Sequence, residues 1–181
     1  MFIFFYEVIG MKAIVLYSTR TGNTKKVAEA VTKGLPAGTL CLSVTDAPAN
    51  IDEYDCVFVG YWVDRGFPDA AAKECISKLT NAHVALFGTL GADPDSEHGS
   101  MCIKNANSVV PEGCTIEDSF ICQGAVDPKI IAMMYKQFPQ GHPHGQSAER
   151  DALHARAAKH PDETDLEHAT KFATRVWSHV Q

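Results

Sequence analysis

KAIVLYSTRTGNT, residues 12–24, passes from an apolar run rich in β-branched residues into a turn crowded with hydroxyls. Ile14, Val15 and Leu16 read as a short buried strand, which Ser18, Thr19, Thr21, Gly22, Asn23 and Thr24 end abruptly. Val27, Val31 and Leu35 then recur on one face of a helix over 24–35, with Lys25, Lys26 and Lys33 away from that face. A turn opening such a helix aims free backbone N–H groups and the positive end of the helix dipole at one point. An anion fits there, a phosphate above all. An ordinary N-cap needs one or two hydroxyls, and this loop carries more than that.

Working outward, residues 39–44 alternate like a half-buried strand and 46–55 form a loop. CVFVG, residues 56–60, is a continuous apolar run of the kind expected for a central parallel strand, with Gly60 as its end. YWVDRGFPD, residues 61–69, then reads as a loop before a helix over 68–79 that places Ala72, Cys75, Ile76 and Leu79 together and Pro68 in its first turn. A strand over 83–88, an irregular stretch TLGADPDSEHG, a weaker helix over 96–109 and a fifth strand over 115–121 complete the pattern. Strands separated by helices predict an α/β chain with a mostly parallel sheet and right-handed crossovers. Ligands of such sheets sit beyond the carboxyl ends of the strands. That brings loops 18–24, 61–69 and 89–98 together, an arrangement suited to a flat aromatic ligand carrying a phosphate.

A chain of 181 residues suits a single domain with a core that needs no cross-links. Its six cysteines contain no C-x-x-C pair and read as reduced thiols, which predicts a cytoplasmic setting. A net charge of -6 argues against non-specific nucleic-acid binding and fits either plain solubility or steering toward a basic partner. MFIFFYEVIG, at the start of the chain, falls far short of the ~20 apolar residues that span a bilayer and lacks the flanks of a signal peptide, so no membrane insertion is predicted. Residues 1–11 read as a leader, with translation starting at Met11; the alternative is an extra strand at a sheet edge.

Thr19-Arg20-Thr21-Gly22-Asn23-Thr24 resembles the phosphate loop of the flavodoxin family, Thr or Ser, any residue, Thr-Gly-x-Thr directly after the first strand. The resemblance in element order runs from Lys12 to about Ile121. It implies a flavodoxin-like doubly wound five-stranded parallel sheet of order 2-1-3-4-5, and an FMN cofactor whose phosphate is held by the hydroxyls of Thr19, Thr21 and Thr24 and by loop N–H groups, including that of Asn23. Neutral donors at a helix start can hold a phosphate dianion without a paired cation. Arg20 occupies the variable position, facing solvent, cofactor edge or partner. By the same resemblance an aromatic after the third strand, Trp62 or Tyr61, covers one face of the flavin ring, at a spacing that departs from the commonest family pattern. Thr89, Leu90, Gly91 and Asp93 correspond to the second flavin loop, whose backbone meets the ring's polar edge. The tyrosine that commonly stacks on the outer ring face is missing, leaving His98, another residue or an open face. Asp93, Asp95 and Glu97 either lower the flavin potential or form a solvated turn.

The chain departs from a short flavodoxin after the fifth strand. Asp127 and Pro128 open a helix with Ile130, Ile131, Met134 and Phe138 on one face. PQGHPHGQS, residues 139–147, links it to a more polar helix over 148–159. Leu166, Ala169, Ala173, Val176, Trp177 and Val180 mark a closing helix opened by a capping box from Thr164 to Glu167. Residues 123–160 thus form a helical insertion, a cover near the cofactor, a docking surface or simple extra packing. It resembles extensions in flavodoxin-like proteins of anaerobic bacteria, including the flavodoxin-like partner subunit of bilirubin reductases. His142 and His144 flank a proline without a thiolate or carboxylate partner, and no metal is assigned. The resemblance implies an electron-transfer flavoprotein serving redox partner proteins, a reductase and an acceptor. The alternative is an FMN-dependent oxidoreductase acting on a small molecule such as a quinone or tetrapyrrole. A phosphoacceptor receiver domain shares the fold class but needs an aspartate where Gly60 stands.

Overall fold

The computed structural model describes residues 10–181, so the leader reading falls, up to Ile9, outside the described residues. β1 (Ala13–Tyr17) lies parallel between β2 (Leu40–Ser43) and β3 (Cys56–Asp64). β3 in turn pairs with β5 (His83–Leu90), and β5 with β6 (Thr115–Gln123). A two-residue strand, β4 (Phe67–Pro68), runs antiparallel to the end of β3 and stands off the main path. The order β2-β1-β3-β5-β6 therefore keeps the expected 2-1-3-4-5 among the parallel strands.

These strands form the centre because their side chains are apolar on both faces, as a parallel sheet covered twice by helices demands. Val15, Phe58 and Phe87 point toward α1 (Asn23–Lys33) and α6 (Glu163–Val180), meeting Val27, Val31, Phe172 and Val176. Ile14, Leu16, Val57, Val59 and Leu86 point the other way, toward Ile76 of α2 (Ala70–Ser77) and Ala106 of α3 (Glu97–Asn107). Two threonines of α6 donate to α1 and its end, Thr170 to the Ala30 carbonyl at 2.9 Å and Thr174 to that of Gly34 at 3.2 Å. All six cysteines are free thiols. Among the described residues no helix is long and apolar enough to cross a membrane.

Several boundaries differ from expectation, each for a physical reason. Gly60 does not end β3. It sits within the strand because the Phe87 ring occupies its side-chain space, and an added Cβ would lie 2.2 Å from Phe87 Cε2. The strand continues to a hairpin whose two central residues, Arg65 (φ 50) and Gly66 (φ 84), both adopt the left-handed conformation a tight hairpin turn needs. Pro68 consequently lies in β4, and Asp69 caps α2 by accepting from Ala72 N–H at 3.3 Å. Tyr61 and Trp62, expected in a loop, are strand residues, as are Thr89 and Leu90. The capping box of α6 lies two residues upstream of the expected one: Asp162 accepts from Asp165 N–H at 3.0 Å and Asp165 from Asp162 N–H at 2.9 Å.

Between β6 and α6 the chain forms α4 (Pro128–Gln137) and α5 (Ala148–Ala157). The Tyr135 hydroxyl joins them, lying 2.9 Å from Asp151 Oδ1 and 3.0 Å from His154 Nδ1. His142 stacks on Phe138 with ring centroids 4.3 Å apart, while residues 139–147 are exposed apart from Gly145. Ala125 N–H donates to the His160 carbonyl at 3.1 Å, closing the neck of this excursion. No residue of α4 is buried, and its apolar side faces the sheet's carboxyl edge across an open space.

Candidate functional site

The carboxyl ends of β1, β3, β5 and β6 open into one cleft of about 1240 Å³. At its floor α1 begins without a side-chain cap, whereas α2, α3, α4, α5 and α6 are capped by Asp69, Ser96, Asp127, Ser147 and Asp162. Gly22 precedes α1 at φ 89, a conformation that turns the strand's end into the helix. The first intrahelical bond is from Lys26 N–H to the Gly22 carbonyl at 3.1 Å. Among the described residues the N–H groups of Asn23, Thr24 and Lys25 have no acceptor. Three aligned donors at the positive end of a helix suit an anion.

The loop's side chains divide the work of building this floor. Thr19 Oγ1 accepts from Gly22 N–H at 3.0 Å and so shapes the turn; neither residue lines the cleft. Asn23 donates through Nδ2 to Thr21 Oγ1 at 3.1 Å and to the Ala125 carbonyl at 3.0 Å, tying the loop to the chain beyond β6. Thr24 Oγ1 lies 2.9 Å from Thr89 Oγ1 in a buried pair that crosses from α1 to β5. Arg20 reaches over the cleft, its guanidinium 5.5 Å from the centre of the Trp62 ring and its Nε 3.7 Å from Asp127.

Trp62 lines the cleft half-buried, but Tyr61 does not. Successive strand residues face opposite ways, and Tyr61 points into the core, where its ring covers Gly88. Burial raises its hydroxyl pKa far above the ordinary range. Thr89, Leu90 and Gly91 line the opposite wall. Their backbone is held by Gly124 N–H donating to the Leu90 carbonyl at 2.8 Å and by Gln123 Nε2 to that of Gly91 at 3.3 Å. Asp93 stands outside the cleft: one oxygen accepts from Asp95 N–H at 3.0 Å and the other lies 3.3 Å from Arg156. Of the other candidates, His98 lines the cleft, with Nε2 3.6 Å from Cys102 Sγ.

Sequence reasoning missed one feature and left a second undecided. Asp69, only 3% exposed, accepts from the Ser18 hydroxyl at 2.7 Å, from Trp62 N–H at 3.3 Å and from Ala72 N–H, so one carboxylate fixes the strand bearing Trp62 against the first loop. Its position just ahead of an alanine-rich helix was the available signal. The second is the outer wall of Ile130, Met133, Met134, Phe138 and Leu153, with Arg150 and His154 beside them. Burial, then the nearby Arg150 charge, pulls the His154 pKa below its ordinary value, and His144 behaves likewise. The closest His and carboxylate cluster among the described residues, His160 with Asp162 and Asp165, is part of the α6 cap, while His142 stacks on Phe138 and His144 meets the same ring at a tilt.

A family model described as a flavodoxin domain matches residues 14–174, which include the loops just described and all of the sheet but its first residue, Ala13. The chain belongs to the flavodoxin family. Two relatives bear the name flavodoxin-like domain-containing protein BilS. The one from Clostridioides difficile (strain CD3) is 35% identical over 170 residues, covering 92% of this chain and 96% of its own. The one from Clostridium symbiosum (strain WAL-14163) is 29% identical over 174 residues, covering 86% and 90%. Among solved structures, a short-chain flavodoxin associated with a non-canonical PDU bacterial microcompartment aligns over 95% of this chain and 100% of its own at TM-score 0.61 and 15% identity, a likeness of fold. The flavodoxin α/β sheet of this chain thus carries Thr19–Thr24 at its expected corner, and the receiver-domain alternative is closed.

Proposed function

We propose that this flavodoxin-family chain binds FMN at the carboxyl edge of its sheet and carries electrons between a reductase and an acceptor. The observation that carries the reading is the uncapped start of α1, with three free N–H groups and the Thr21 and Thr24 hydroxyls around one point. A phosphate completes the helix end as a side-chain cap does elsewhere in this fold. Bound FMN supplies the one- and two-electron chemistry, and the chain supplies binding, orientation and electrostatics.

In this reading Thr19 and Gly22 shape the phosphate turn, Asn23 holds it to Ala125, and Thr24 presents its hydroxyl. Trp62, set by Asp69 and steadied by Arg20, covers a ring face, and the fixed backbone of Leu90 and Gly91 meets the ring's polar edge. Tyr61 and Asp93 have no part, because one is in the core and the other faces Arg156. Six free thiols fit work in a reducing compartment, the cytoplasm. The test is the visible spectrum of desalted protein after addition of FMN, followed by reduction with a flavodoxin reductase and reoxidation by an acceptor protein. Retained flavin that cycles between the two supports the reading, and protein that emerges colourless refutes it.

A second reading, direct oxidoreduction of a small molecule, is favoured by the outer wall. Pockets that hold one ligand run to roughly 300–1,000 Å³, and the cleft of about 1240 Å³ exceeds that. Steady turnover of NAD(P)H with a quinone by the purified protein alone would select this reading over the carrier.

A further inference from the structure

The arginines of the chain are not distributed like ordinary solvated charges. Arg156 pairs with Asp93 and Arg175 with Asp118, both away from the cleft, and Arg20 lies near Asp127. Among the described residues the remaining two, Arg65 and Arg150, have no carboxylate partner, and both line the cleft. Three arginines therefore face only two acids there, Asp64 and Asp127, in a chain whose net charge is -6. The surface between them is apolar: Ile130, Met133, Met134 and Phe138 from α4 and Leu153 from α5, with Met133 left 53% exposed. Methionines suit a wall that adapts to a ligand's outline.

We propose that the outer part of the cleft, between Trp62 and the α4–α5 wall, binds a second small molecule: flat or elongated, apolar, and ending in a carboxylate or similar anion placed near Arg150. The proposal rests on the FMN reading, because the cofactor fills the α1 end and leaves this space over. The apolar body lies along Met133, Met134 and Phe138. The anion meets Arg150, whose fixed charge remains when His144 and His154 are neutral. A neutral ligand of the same shape lacks only that last contact. Asp127, which faces Arg20 at the far end, keeps a second anion from being equally favoured there.

The test uses FMN-loaded protein and two fluorescent probes of one shape, 8-anilinonaphthalene-1-sulfonate, which is anionic, and N-phenyl-1-naphthylamine, which is neutral. FMN retention is read first from visible absorbance, so loss of the cofactor refutes the functional reading separately. Expected are saturable binding of one sulfonate probe per chain with flavin retained, weakening of about two- to fivefold in Arg150→Gln, the size of a partly exposed charge contact, and an unchanged affinity for the neutral probe. Met133→Gln weakens both probes. With flavin retained, no saturable binding, displacement of FMN by the probe, or an Arg150→Gln variant that treats both probes alike would overturn the proposal. So would a dimer, seen by gel filtration, that excludes both probes, since a second copy would then be the occupant of the wall.

Discussion

Replacing Thr24 by Val keeps the outline of the side chain and removes one hydroxyl from a pair that is 1% exposed on the Thr24 side and 5% on the Thr89 side. The hydroxyl of Thr89, 5% exposed, then loses its one protein partner, a loss of about 1–3 kcal/mol in stability of the cofactor-free protein. Thr24→Val with Thr89→Val removes both partners and is expected to cost less than the single change, giving a favourable coupling on the order of 1 kcal/mol. Cofactor affinity responds differently. A hydroxyl has one proton, so Thr89 donating to Thr24 frees the Thr24 proton for the phosphate. A hydrogen bond to a charged group contributes about 1.5–3 kcal/mol, so Thr24→Val is expected to weaken FMN binding roughly 10- to 150-fold. Thr89→Val, which only disorients Thr24, weakens it a few-fold. Urea unfolding followed by tryptophan fluorescence gives the first pair of numbers, and quenching of FMN fluorescence the second. FMN affinity within twofold of wild type in Thr24→Val, or a double variant as unstable as the sum of its parts, would refute the reasoning.

Asp69→Ala removes the cap of α2 and strands the Ser18 hydroxyl and Trp62 N–H, so a loss of about 2–4 kcal/mol is expected by urea unfolding, with a shifted Trp62 emission. Gly60→Ala pushes a Cβ into the Phe87 ring between fully buried neighbours and is expected to cost about 1–3 kcal/mol, while Gly113→Ala, with nothing near its added Cβ, should leave the urea midpoint where it is. The depressed pKa of His154 means the unfolded chain binds a proton that the folded chain resists, so stability is full above the unfolded value near 6.5 and declines as pH falls below it. Histidine proton shifts followed by NMR should place the His154 midpoint below that of an exposed histidine, and His154→Phe should flatten the decline between pH 7 and 5.5.

The strand cores and the phosphate loop were legible because short-range pattern determines them: apolar runs of parallel-strand length, and hydroxyls with Gly22 directly before an amphipathic helix. The edges were less so. Gly60 looked like a stop, and only the tertiary position of the Phe87 ring makes it a through-strand glycine. That extension decides which of Tyr61 and Trp62 faces the cleft, since one step along a strand reverses the side. Asp69 and Arg150 were invisible for a related reason. Ser18, the partner of Asp69, lies 51 residues away, and nothing local to Arg150 shows that it lines a cleft without a carboxylate partner. The apolar stripe of α4 was readable, but nothing local shows that it faces a cleft rather than a core.

The central claim is that the start of α1 holds the phosphate of FMN. Parallel fluorescence-quenching titrations of the purified protein with FMN and with riboflavin, which differ only in that phosphate, test it most directly. Three backbone donors and two hydroxyls face the dianion, and at about 1.5 kcal/mol or more each even two of them place FMN at least 100-fold tighter than riboflavin. Equal affinities, or no quenching by either, would contradict the account.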